Sequence, residues 1–178
     1  MARWFQVQSA TLVRSWSFRT LNVINEGNRE ALRIECGTSI PSARLLRTMN
    51  QLIDVYGMAK AIQVDNGPEM TSETFVEWAK EMGISLLYIQ PGKPYQNVFV
   101  ERFNRSFRDE VLDANLFNSI AEAQEAADVW VTDYNEFRPH ERLSDRTPME
   151  CRTRIFQSGV SSFCFATKVR FYGLFTTK

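Results

Sequence analysis

The sequence is poor in cysteine and histidine and carries no net charge: three cysteines, one histidine, and 21 Lys plus Arg against 21 Asp plus Glu in 178 residues. Cys36, Cys151 and Cys164 stand far apart with no C-x-x-C pair, and His140 is the sole histidine. That spacing argues against a four-ligand zinc centre and reads as ordinary cytosolic thiols, buried or free. No apolar run approaches the ~18 residues that a membrane span needs. The first twenty residues hold Arg3, Arg14 and Arg19 but no continuous apolar stretch followed by a small-residue cleavage site, so secretion is not expected. Zero net charge excludes a uniformly basic coat for nucleic acid and leaves local clustering as the question. Acidic residues are also unevenly spread. None precedes Glu26, and residues 152–178 hold five basic residues and no acidic one.

What is present suits a soluble globular chain of one ordinary domain, 44% apolar and 24% charged. Two short β-prone segments, "FRTLNVI" from Phe18 and "EALRIEC" ending at Cys36, flank "NEGNR" and predict a hairpin. Pro41 opens a helix with Leu45, Met49, Leu52, Ile53 and Tyr56 at helical spacing, Ser39 as its expected N-cap and Gly57 as its stop. "AKAIQV" predicts a buried strand ending at Asp65, "SETFVEWAKEMG" a helix capped by Ser72 and ended by Gly83, and "ISLLYI" a further strand. Pro91 and Pro94 stiffen a loop. Residues 97–114 and 119–137 then predict two helices, the first with Val100, Phe103, Phe107 and Val111 on one stripe. A hairpin followed by alternating strands and helices implies an α/β fold, a mixed sheet flanked by helices, with ligands expected at the carboxyl ends of strands. Trp78, Trp130, Phe99 and Phe103 read as core, whereas Tyr95, in the loop, could stack on an unpaired base.

Asp65 closes a strand, Glu101 falls in the first turn of a helix, and 35 residues separate them. Alone, "DNG" is turn chemistry and a helical glutamate is a solvated one. A strand-end aspartate and a glutamate on a helix packed against the same sheet can nevertheless converge on one divalent cation, and oxygen ligands suit magnesium. Arg102, Arg105 and Arg108 recur along the same helix, as a phosphate-facing stripe or a solvated face.

"VDNGPE", "PGKPYQNVFVERFN" and "DYNEFRPHERL…TP" resemble, in order and in the D-x35-E spacing, the catalytic core of OrfB-type insertion-sequence transposases related to retroviral integrases. The resemblance runs from about Phe18 to about Cys151. It implies a ribonuclease-H-like fold and DNA integration or transposition by metal-dependent polynucleotidyl transfer, that is, strand cleavage followed by strand transfer. It makes Asp65 and Glu101 the catalytic and metal-binding acids, Mg2+ (or Mn2+) the cofactor, and Lys93, Gln96, Asn97 and Asn104, with Arg105 and Arg108, the DNA-binding set. DNA (element ends and target) is the implied partner, with a homo-oligomer or an intact transposase as protein partner and no membrane. The implied location is the bacterial cytoplasm, on the nucleoid when DNA is bound.

One departure is sharp. The family's first aspartate lies on a strand ahead of "FRTLNVI", and the ungapped position here is Gln6, in "RWFQVQSATLV". Without that carboxylate the cation should bind weakly and catalysis should be impaired. Glu26, in the turn after "FRTLNVIN", is the one nearby acid that could stand in for it. The helix-turn-helix region that the family carries upstream is not in this sequence. The expected organisation is therefore a catalytic core with an atypical first strand over residues 1–151 and an atypical tail over 152–178, as in a truncated or frameshifted copy. A noncatalytic, nucleic-acid-binding or multimerising remnant is the alternative.

Overall fold

A computed structural model describes residues 17–64, 66–88, 98–157 and 169–172. The hairpin forms as expected. β1 (Arg19–Asn25) pairs antiparallel with β2 (Ala31–Gly37), and the turn between them is closed by the Asn25 N–H donating to the Glu30 carbonyl. α1 (Ser42–Tyr56) follows. Its N-cap is Pro41 and not Ser39, because the Pro41 carbonyl already accepts from the Arg44 and Leu45 N–H groups, so the chain turns helical immediately after the proline. Gly57, at φ 87°, takes the left-handed region that ends the helix.

β3 (Ala61–Val64), α2 (Glu73–Glu81) and β4 (Ser85–Tyr88) form a strand–helix–strand unit with the two strands parallel. Ser72 is the N-cap of α2 by backbone position, but its hydroxyl donates to the Glu69 carbonyl instead of capping. α3 (Val98–Phe107) runs into a π turn at Arg108–Leu112, and α4 (Ile120–Phe137) starts at Ser119, whose hydroxyl accepts from the Glu122 N–H. α5 (Pro148–Gln157) runs unbroken past residue 152, where the composition changes. The tail then supplies β5 (Val169–Tyr172).

The five strands form one mixed sheet in the order β2-β1-β5-β3-β4. Alternation along β1 sorts its side chains between two cores. Leu21 and Val23 join Leu32, Ile62 and Val64 under α1 and α2, while Ile24 joins Ala31, Ile34 and Cys36 under α3 and α4. The second core centres on Trp130, whose ring meets Phe103, Phe107 and Tyr134 at centroid distances of 5.2, 5.1 and 5.1 Å. Trp78 and Trp130 are both buried, as the helical spacing indicated, with Nε1 donating to Asn50 and to Glu110 respectively. Buried Glu30 ties the hairpin to α5 through a 2.8 Å bond from Arg152, whose guanidinium also lies over the Tyr56 ring.

Candidate functional site

Beneath α3 the apolar core gives way to a buried polar strip. Thr20 and Asn22 on β1, Gln63 on β3 and Asn104 on α3 are each no more than 2% exposed. Asn22 and Ile24 share a face of β1, and the Asn22 Nδ2 donates to the Asn104 Oδ1 over 2.9 Å, so α3 is pinned to the sheet by a side-chain pair. Glu101 stands one helical turn before Asn104, on the same side of α3, and is half-buried. A buried amide usually finds partners for all its polar atoms. Among the described residues, Asn22 Oδ1 and Thr20 Oγ1 accept no hydrogen bond.

Among the described residues, this strip fits a pair of divalent cations poorly. Its donors are a hydroxyl and three amides, whereas closely spaced dications call for carboxylates. Among the described residues no three His, Cys, Asp or Glu side chains gather in a metal-binding group, and Glu101 is the one carboxylate beside the strip. Glu26 does not lie at the end of the sheet where β3 delivers its carboxyl terminus. β5 pairs Arg170 with both Ile24 and Gln63, so β3 advances from the level of Ile24 towards that of Asn22 as β1 advances the other way, towards Glu26. Each residue past Gln63 moves β3 roughly 3.3 Å further from the Glu26 turn.

Of the other site residues expected from the sequence, Asp65, Lys93, Gln96 and Asn97, like Tyr95 and Gln6, lie outside the described residues. Asn104 is not at a DNA-facing surface, because its side chain is buried against β1. Arg102 and Arg105 are exposed on α3. Arg108 is held: the π turn lets the Asp113 N–H reach the Arg108 carbonyl, and the Arg108 Nε donates to Asp113 over 3.0 Å. α4 carries the opposite charge, with Glu122, Glu125, Asp128, Asp133 and Glu136 and no basic residue. The exposed arginines of α3 therefore mark the side that suits phosphate, and α4 the side that does not.

A second cluster, at the ends of α3 and α4, takes in Tyr134, Arg138 and His140 of "YNEFRPHERL", a stretch whose sequence suits either a DNA-facing or multimer-facing turn or a helix end with a satisfied histidine. Arg29, at φ 63° in the β1–β2 turn and 6% exposed, places its guanidinium 4.1 Å from the centre of the Phe99 ring. His140 packs edge-on to Phe99 and tilted against Tyr134. Burial, and then Arg29, Arg138 and Arg102, lower the His140 pKa to about 4, so the imidazole is neutral at physiological pH. Arg138 pairs with Glu110 and covers the Tyr134 and Trp130 rings. Glu110 is pulled up by burial, but hydrogen bonds from Arg138 and Trp130 hold it below the ordinary carboxylate range. Arg-Pro-His therefore closes the aromatic core and fixes the start of α3, the helix that carries Glu101.

Two family descriptions, each reading integrase core domain, match residues 9–94 and 82–148. An insertion element IS476 uncharacterized 39.2 kDa protein of Xanthomonas euvesicatoria is 36% identical over 72% of this chain and 37% of its own length. An insertion element IS407 uncharacterized 31.7 kDa protein of Burkholderia multivorans is 37% identical over 74% of this chain and 48% of its own length. The chain thus spans less than half the length of either relative. Among solved structures, the HTLV-2 integrase catalytic core domain in complex with magnesium, in a trimeric form, superposes with a TM-score of 0.59 at 20% identity, over 82% of this chain and 91% of that one. The fold is ribonuclease-H-like.

Proposed function

The chain belongs to the integrase core domain family, and we propose that within DNA integration and transposition it serves as a DNA-binding core whose metal-dependent polynucleotidyl transfer is impaired. The observation that supports the impairment is in the sequence: no acid precedes Glu26, and Gln6 stands where the family has its first aspartate. The family's divalent metals supply charge to activate the attacking oxygen and to stabilise the leaving one. No step through them is assigned to this chain.

What its own residues would do is hold DNA. Arg102 and Arg105 offer guanidinium forks to backbone phosphate, Lys93 a point charge, and Gln96 and Asn97 amide hydrogen bonds. Asp65 and Glu101 keep the metal-ligand roles that the resemblance gives them, with Mg2+ or Mn2+ weakly held. Asn104 positions α3 by its bond to Asn22 and does not touch phosphate. Assembly with a second copy, or with an intact transposase, completes the reading. Location follows from the DNA partner: a bacterial cytoplasmic protein on the nucleoid. Among the described residues no helix is long and apolar enough to cross a membrane.

The test is a disintegration-type assay on a branched DNA oligonucleotide with manganese, comparing the unaltered chain with Glu101→Gln, alongside DNA binding by both. Binding without turnover in the unaltered chain supports the proposal. Turnover that Glu101→Gln abolishes would sink the impairment, and absence of DNA binding would sink the whole reading.

A further inference from the structure

The hairpin β1–β2 and the parallel pair β3–β4 do not pair with each other; β5 stands between them. Its register is antiparallel to β1, with Asn22 opposite Tyr172, Val23 opposite Phe171, Ile24 opposite Arg170 and Asn25 opposite Val169. To β3 it is parallel, Ile62 beside Val169 and Gln63 beside Arg170. Take β5 away and two strand edges remain, each with unmet N–H and C=O groups, flanked by residues that are almost wholly buried: Val23, Ile24, Ile62 and Val64. Edges of that kind demand a strand. Val169, Phe171 and Tyr172 have the β-branched and aromatic character that such a slot favours. Eleven residues separate Gln157 from Val169 in the sequence, enough to span up to about 40 Å.

We infer that the C-terminal strand is a donor strand: it fills the central slot of the sheet in cis, and its register puts positions 170 and 172, Arg and Tyr in the sequence, on the face of the sheet that carries Asn22 and Gln63. Paired positions of an antiparallel ladder share a face. Position 172, opposite Asn22, is on the face that carries Asn22 and Asn104, and position 170, opposite Ile24 and beside Gln63, is on it too. The chain's acid-free end thus enters the middle of the sheet. Its amides belong to the core of the fold although they lie near the end of the chain.

Two measurements on the full-length chain test this. Hydrogen exchange read by mass spectrometry should show residues 169–172 protected to the same degree as β1; exchange there as fast as in an unstructured peptide would overturn the inference. The second compares Tyr172→Asp with Gln6→Asp by thermal melting with and without manganese chloride. A manganese-dependent rise in Tm in Tyr172→Asp alone, by a few degrees, supports it. A rise in Gln6→Asp alone would overturn it by assigning the slot to the N-terminal segment. This second arm rests on the metal role proposed for Glu101. A rise in neither variant, with 169–172 protected, leaves the donor strand standing and counts against that metal role instead.

Discussion

Asn22 on β1 and Asn104 on α3 are joined across 82 residues of sequence by a buried 2.9 Å hydrogen bond, the Nδ2 of the first donating to the Oδ1 of the second. That bond sets how far α3, and with it Glu101, lies from the sheet. Asn104→Leu removes the acceptor and leaves the Asn22 amide buried without it, a loss of about 1–3 kcal/mol. Urea denaturation of the two proteins checks this, and a change below about 0.5 kcal/mol would mean that α3 is held by its apolar stripe alone.

Trp130, on α4, meets two rings of α3, Phe103 and Phe107, and donates one hydrogen bond to Glu110 in the π turn that follows α3. Trp130→Ala should cost about 3–5 kcal/mol, a large part of the roughly 5–15 kcal/mol by which a domain is ordinarily stable. Trp130→Phe keeps most of the packing but strips Glu110 of one donor, so its cost should be well under half as large. Thermal melts of both variants measure the split.

Acid should destabilise the protein before most of its carboxylates titrate. His140 takes up a proton near 6.5 when unfolded but only near about 4 when folded, because burial and the nearby arginines oppose the imidazolium. Between those values the unfolded state binds more protons, so stability falls as pH falls. Glu110, lowered by Arg138 and Trp130, adds a loss in the same direction when pH falls through its folded pKa. Tm should therefore drop from about pH 7 to about pH 5, and His140→Gln should flatten that part of the curve while leaving the steeper acid limb. A curve unchanged by the substitution would show that His140 is not the group responsible.

The exposed and the held arginines of α3 should differ in DNA binding. Removing one phosphate contact lowers the salt slope of log K by about 0.9. Arg105→Ala should do this in full; Arg108→Ala should do less, because its guanidinium is already engaged by Asp113. Affinities measured across a range of salt concentrations give the two slopes directly, and equal slopes would count against the ion pair as a restraint.

Cys36 is buried at the β2–α4 contact, and its thiol is pushed up to about 12, chiefly by burial and then by Glu35 and Asp128. Iodoacetamide should therefore label Cys36 only as fast as the fold opens, while half-buried Cys151 reacts earlier. Mass-spectrometric peptide mapping over time separates the two. Prompt labelling of Cys36 would place local opening at the β2 edge.

Much of the architecture was legible because its signals are local. The hairpin showed in "NEGNR", α1 in its apolar spacing and Gly57, and α4 in Ser119 and the run that buries Trp130. Ser39 misled because both Ser39 and Pro41 are helix-start residues, and the proline, two residues on, fixes φ and supplies the first carbonyl. The motif positions Asp65 and Glu101 could be read from spacing and resemblance. The strip beside Glu101 could not, since Thr20, Asn22 and Gln63 look in sequence like ordinary polar residues of half-exposed strands. Alternating polar positions in "RTLNVIN" were the available signal, and only α3 packing on that face makes them a buried set.

By itself, then, the sequence determined which segments become helices and strands, which faces are apolar, and that no acid precedes Glu26, because periodicity, turn chemistry and composition act over a few residues. Tertiary structure alone decided which strand occupies the middle of the sheet. Strand pairing is non-local: β1 and β3 are completed by whichever extended segment can reach both edges, and here that segment is Val169–Tyr172, for which no neighbouring turn gave any sign.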